Sequence, residues 1–159
     1  MNILLIGSGG REHAIAWALQ KSPNTDVLYV APGNGGTAEI AENVDLDIAD
    51  GEALLSFVHE RNIGLVVIGP EAPLVDGVAD LLRADGVPVF GPNADGAQLE
   101  GSKAYSKAFM EANDIPTAAY GRFDDEAAAL AYVREQRHSR LPVYADSVDN
   151  VIGILQIRK

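Results

Sequence analysis

The chain has no cysteine. That excludes a disulfide framework, a thiolate metal site and a cysteine nucleophile, and makes a reducing cytoplasm the expected compartment. Long apolar runs are also missing. None approaches the roughly 20 residues of a membrane-spanning helix, and the first residues lack the basic-then-apolar order of a secretion signal. A soluble protein with no membrane partner is expected. Positive charge is scarce: 12 Lys and Arg stand against 23 Asp and Glu, a net charge of -11, with the acids spread along the chain. Such a field repels a nucleic-acid backbone, so no DNA or RNA partner is expected. A basic side chain held at a small-molecule site would point to an anionic metabolite. The 159 residues suit one large domain, or one domain plus an appendage, with a real core.

What is present is concentrated at the start. Asn2-Ile3-Leu4-Leu5-Ile6 is an apolar β-forming run, Gly7-Ser8-Gly9-Gly10 is a glycine turn, and Arg11 onward reads as a helix. A strand, glycine turn and helix in that order let backbone approach an anion and aim free helix N–H groups at it, the helix dipole adding roughly 0.3–1 kcal/mol. The spacing is G-x-G-G and not the G-x-G-x-x-G dinucleotide fingerprint, with Ala14 restoring it only in part. From these residues alone the turn is either a phosphate or carboxylate site or a tight βα connection with no ligand.

Further strands are expected at residues 27–31, 65–68 and 88–90, with a short extended piece at 43–47, and helices at 11–21, 51–61 and 75–85. Unbroken apolar strands alternating with helices indicate an α/β fold: an open, parallel, doubly wound, Rossmann-like sheet covered on both faces. Two more loops, 32–37 and 69–74, leave strand ends. In such a sheet all three loops fall on one edge and converge on one crevice. Beyond Gly91-Pro92-Asn93 the chain leaves the sheet. Ser102 is placed to cap a helix over 103–112, Asp124 or Asp125 to cap another reaching about 136, and 117–123 is extended. Runs at 141–144 and 151–157, joined by 145–150, predict a β-hairpin with Gly153 at a bulge or close contact. The expected layout is a sheet domain over 1–96, a helical region over 97–137 and a hairpin tail over 138–159.

The motifs GSGGREHA (7–14), APGNGGT (31–37), GPEAPLVDG (69–77), FGP (90–92), QLEGSKAYSKAFM (98–110) and IPTA (115–118) resemble, in order and spacing, the start of phosphoribosylamine–glycine ligase, also called glycinamide ribonucleotide synthetase. The resemblance covers residues 1 to about 136. It implies an ATP-grasp ligase of purine biosynthesis whose first, pre-ATP-grasp domain supplies much of the phosphoribosylamine pocket. In such a ligase ATP phosphorylates glycine and the amine of 5-phosphoribosylamine attacks the acyl phosphate, with magnesium offsetting the phosphate charge. Carried over, Gly9, Gly10, Arg11 and Glu12 stand at the ribose-phosphate end, Asn34, Gly35, Gly36 and Thr37 form the second loop, and Pro70, Glu71, Pro73 and Leu74 the third. Lys103 matches a lysine that reaches nucleotide phosphates, and Lys107 is read as solvated. No catalytic residue is carried over.

Several residues have competing readings. Arg11 is either an anion ligand or a solvated first-turn arginine. Glu71 bonds ribose hydroxyls or caps its own loop. His13 is read as a core or helix-surface residue in preference to a catalytic base, Trp17 as core, and His59 and His138 as suggesting no metal site.

After about residue 136 the resemblance breaks. The family's next nucleotide lysine, its glycine-rich lid and its acidic magnesium ligands are not read here, so catalysis by this chain alone is not expected, and ATP and Mg2+ belong to the full-length family. Residues 139–159, SRLPVYADSVDNVIGILQIRK, are similar instead to a fragment of a cystathionine-β-synthase-type (CBS) module. A junction near 136–138, as in a chimera, is the expectation. An isolated hairpin is marginal in water and needs a partner surface, either the 127–133 helix or the hairpin of a second copy. Two functions follow: a ligase-derived domain that keeps ribose-phosphate binding, or an oligomerising chimera in which the crevice is scaffold. An NAD-type oxidoreductase fails the glycine spacing and has Ala31-Pro32 where an acid is expected.

Overall fold

The computed structural model describes residues 1–118, 120, 121, 123, 125–135, 140–144 and 151–156, with no side chains described at 134, 140–144 and 151–156. The chain divides into two compact units, Met1–Ile115 and Pro116–Lys159.

The first unit is built on β1 (Asn2–Gly7), the central strand of a five-stranded sheet. It is followed by α1 (Gly10–Leu19), β2 (Leu28–Pro32), a 3-10 turn (Thr37–Glu39), β3 (Glu42–Asn43), α2 (Gly51–Glu60) and β4 (Ile63–Ile68). Then come α3 (Glu71–Val75), α4 (Val78–Ala84), β5 (Val89–Phe90), α5 (Ala94–Gly101) and α6 (Lys103–Ala112). The strand order is β3-β2-β1-β4-β5 and every pairing is parallel. This is the α/β, doubly wound sheet expected from the sequence.

Alternation along β1 divides its side chains between two cores. Leu4 and Ile6 join Tyr29, Leu54, Val58, Val66, Leu74 and Leu82 on the face covered by α2 and α4. Ile3 and Leu5 join Ala16, Leu28, Val30 and Val67 on the α1 face. Because β1 is buried on both faces it reads as one apolar run. Tyr29 and Phe57 add an edge-to-face ring pair at 5.5 Å. No helix among the described residues is long and apolar enough to cross a membrane.

Three local expectations are corrected. Residues 71–74, read as loop, belong to the helix α3. Pro73 sits in its first turn, where a missing N–H costs nothing, and Gly77 at φ 84 separates it from α4. Trp17 is 52% exposed, with the Lys21 ammonium 3.1 Å from its ring centroid, because α1 turns Glu12 and Ala16 inward instead. The short extended piece read at 43–47 is the two-residue strand β3 at Glu42–Asn43. α5 was not anticipated: its glycines hide it from a periodicity reading, while Asn93 caps it by accepting from the Gly96 N–H. Ser102 caps α6 as expected, accepting from the Tyr105 N–H. α5 and α6 fall within the first unit.

In the second unit, α7 (Glu126–Glu135) is capped by Asp125, which accepts from the Ala128 N–H at 2.8 Å. β6 (Arg140–Tyr144) and β7 (Val151–Gln156) pair antiparallel, as the hairpin reading expects. The register passes from Val143↔Gly153 to Tyr144↔Val151, leaving Ile152 as the extra residue of a bulge beside Gly153. Asp124, the junction at 136–138 with His138, the connection 145–150 and Ile157 lie outside the described residues.

Candidate functional site

The sheet order reverses at β1, with β2 on one side and β4 on the other, which makes the carboxyl ends of β1 and β4 the topological switch point. Glu12 fills it. The residue is 4% exposed. A Cβ added to Gly7 would lie 2.4 Å from its Cγ, and one added to Gly69 would lie 2.2 Å from its Oε1. A side chain at either strand end would displace Glu12 from this position. Oε2 accepts from the Gly9 N–H at 2.7 Å, and Oε1 accepts from Arg11 Nε at 2.8 Å. The first of these is half of a capping box, with glutamate at the third helical position reaching back to the cap.

This arrangement sets the charges. Burial acts to raise the Glu12 pKa, and the bonds from Arg11 and from the Gly9 N–H outweigh it, so the carboxyl titrates below its ordinary value of 4.5. The Glu12 hydrogen bond also raises the Arg11 pKa above its already high value, with Glu71 and Glu100 adding attraction. A carboxyl with a depressed folded-state pKa contributes stability that is present above its unfolded pKa and is lost as pH falls through the folded one. Wild type is thus expected to be more stable than Glu12→Gln at pH 7, with the gap closing as pH drops below about 4.5. Paired thermal melts from pH 7 to 3 check this; a gap independent of pH contradicts it.

The second loop is tied to the first. The Gly33 N–H donates to Gly7 O at 3.2 Å, and Asn34 Nδ2 donates to Ser8 O at 2.8 Å and Gly9 O at 3.3 Å. Asn34 Oδ1 accepts from the Gly36 and Thr37 N–H groups. Both ends of the Asn34 amide are thereby occupied inside the protein. Thr37 is fully buried, its hydroxyl accepting from the Asn34 N–H and lying 2.7 Å from Asn43 Oδ1. In the third loop Gly69 packs on Glu12 and Pro70 approaches Gly7, so all three loops meet at one sheet edge. Pro73 and Leu74 are buried, Leu74 within the core, while Glu71 is exposed at the start of α3.

Arg11, 55% exposed, and the backbone at Gly10 and Gly35 are left facing outward; a Cβ on either glycine would meet nothing within 4 Å. Half-buried His13 walls the second loop, its ring 3.2 Å from where a Gly36 Cβ would sit. His13 was read as a core or helix-surface residue and stands half-buried on the wall of the second loop, and Glu100, whose charge acts on Arg11, was not anticipated. His13 carries the signal of helical phase, one residue past the inward Glu12, whereas nothing local marks Glu100. Lys103 is exposed on α6. A separate apolar cavity of about 300 Å³, lined by Ile48, Pro73, Val78, Leu81 and others, contains none of the residues of the first two loops.

A family model described as "Phosphoribosylglycinamide synthetase, N domain" matches residues 1–100. The chain belongs to this family. Among its relatives, the phosphoribosylamine–glycine ligase of Vibrio cholerae is 54% identical over 157 residues, covering 98% of this chain and 36% of the relative. That of Yersinia pestis is 50% identical over the same lengths. The crystal structure of phosphoribosylamine–glycine ligase from Thermotoga maritima is 29% identical with a TM-score of 0.69, covering 99% of this chain and 36% of that one. N5-carboxyaminoimidazole ribonucleotide synthetase from Thermus thermophilus shares the fold at 21% identity and a TM-score of 0.63, over 87% and 37% of the two chains. The chain spans about a third of the length of these relatives. The switch-point geometry thus belongs to the N domain of this synthetase family. The CBS-like tail and the junction draw no support from these matches.

Proposed function

We propose that this chain forms the ribose-phosphate end of a phosphoribosylamine–glycine ligase site. The observation that carries the reading is Arg11, an exposed guanidinium held through Nε by a buried carboxylate at the end of the first glycine loop, to which Asn34 ties the second, with open space at Gly10 and Gly35. Glu12 already offsets the helix-dipole penalty on this basic group, and the exposed remainder of the guanidinium is left for an anion from outside. Arg11 and the outward backbone hold the phosphate. Exposed Glu71, at the mouth of the third loop, is placed to accept from sugar hydroxyls.

In the whole ligase, ATP activates the glycine carboxylate and magnesium offsets phosphate charge, in purine biosynthesis in the cytoplasm. Among the described residues no three His, Asp or Glu side chains converge as metal ligands. Lys103 is the residue assigned toward the nucleotide. Titration of ribose 5-phosphate into the full chain by calorimetry tests the proposal. Binding is expected, at least about tenfold weaker in Arg11→Ala, since a hydrogen bond to a charged group contributes about 1.5–3 kcal/mol. No heat with wild type leaves the crevice as scaffold.

A second reading, assembly through the tail, is favoured by β6–β7, a two-stranded sheet among the described residues. It predicts dimers, and a single-chain mass by light scattering at high concentration removes it.

A further inference from the structure

Glu12 is part of the site's frame, and its surroundings give it a more specific task. Its carboxylate lies under the glycine turn, between the ends of β1 and β4, where the pyrophosphate lies in dinucleotide-binding sheets. There it does what a bound anion would do: it accepts the N–H of the helix cap, Gly9, and an arginine bond. The Arg11 bond is made by Nε, the guanidinium nitrogen nearest the backbone, so it leaves the donors of the two terminal nitrogens unused.

We propose that Glu12 is a built-in anion that positions Arg11, closing the inner phosphate position of the turn and directing the arginine's terminal nitrogens to a single phosphate presented from outside. Glu12 touches no ligand itself; it is a positioning residue acting through Arg11. The proposal rests on the ribose-phosphate reading for the identity of the ligand, but the Glu12–Arg11 coupling stands apart from it. Glu12 is confined between Gly7 and Gly69, so it has one place to sit, and that place fixes one of the two ends of the arginine. An exposed arginine without this anchor would sample many rotamers and give up part of its binding energy to ordering.

The test is a double-mutant cycle on the full chain, with ribose 5-phosphate as the calorimetric probe and Arg11→Ala, Glu12→Gln and the pair as variants. Circular dichroism verifies folding in each. Glutamine keeps an oxygen for the Gly9 N–H while losing the charge that holds Arg11. Glu12→Gln is expected to weaken binding about tenfold, and the double variant to bind no more weakly than Arg11→Ala. Losses that multiply in the double variant, or unchanged affinity in Glu12→Gln, overturn the proposal.

If wild type gives no heat, the ribose-phosphate reading fails, and the positioning role is decided by nitrogen-15 NMR of the arginine Nε–H groups. Arg11, assigned through Arg11→Lys, is expected to show a downfield, slowly exchanging Nε–H that Glu12→Gln returns to the solvent-exposed position. An Nε–H signal identical in the two proteins overturns the proposal whatever the calorimetry shows.

Discussion

Gly69→Ala is expected to destabilise the first unit by about 3 kcal/mol, because the new Cβ would fall 2.2 Å from Glu12 Oε1. A flexible carboxylate on a surface would swing aside at little cost. Glu12 is 4% exposed, and its Cγ already occupies the space that a side chain at Gly7 would fill, so a shift costs more here than on a surface. It must leave the switch point, breaking the bonds from Gly9 N–H and Arg11 Nε. Two hydrogen bonds to a charged group, each contributing about 1.5–3 kcal/mol and partly recovered in water, set the magnitude. Glu12→Ala is expected to cost a similar amount, and Gly69→Ala placed on top of it to cost little more, because the colliding atoms are gone. Denaturant melts of the four proteins measure this. Additive losses would mean that Gly69 is needed for its backbone and not for Glu12.

Asn34→Ala is the second large effect, at about 2–4 kcal/mol. One side chain accepts from the Gly36 and Thr37 N–H groups and donates to Ser8 O and Gly9 O, so its removal unties the second loop from the first and strands two loop donors. Asn34→Asp separates the halves. It keeps an acceptor for the two N–H groups but turns an oxygen toward the Ser8 and Gly9 carbonyls. A loss in Asn34→Asp as large as in Asn34→Ala assigns the stability to the cross-loop bonds, and wild-type stability in Asn34→Ala contradicts the account of the loops. Because Gly10 and Gly35 face open space from these two loops, ribose 5-phosphate affinity is expected to fall with either substitution.

The parts of this architecture that depend on composition along a strand were legible in the sequence. β1, β2 and β4 are buried on both faces, so their apolar runs carry no competing periodicity, and the glycine and proline loops at their ends mark the functional edge of a parallel sheet. What depends on helix phase was harder to read. α1 carries Glu12, Ile15, Ala16, Trp17 and Leu19, and hydrophobicity alone favours burying the tryptophan. The fold buries Glu12 and Ala16, four residues apart, because the glycines at 7 and 69 leave a slot that fits a glutamate. Those two glycines are 62 positions apart, and nothing local in either stretch announces that they face one side chain.

The same limit governs the candidate site. The three loops and Arg11 could be named from the sequence, and the structure brings the loops together. It also distributes their roles differently from a list of contacts. Asn34 ties the second loop to the first, Thr37 bonds Asn34 and Asn43, Leu74 belongs to the core, and Glu12 is directed inward. Hydrogen-bond saturation and burial are properties of the assembled edge, invisible in a motif. α3 escaped notice because Pro73 reads as a helix breaker, although the first turn of a helix accepts proline.

The central claim is that the outward face of the first two loops receives the phosphate of a ribose phosphate. Amide NMR shift mapping of the nitrogen-15-labelled chain during titration with ribose 5-phosphate tests it most directly. Saturable shifts centred on Gly10, Arg11, Gly35 and Gly36, absent in Arg11→Ala, are expected. Shifts centred instead on the apolar cavity around Ile48, Val78 and Leu81, or no shifts at all, would contradict it.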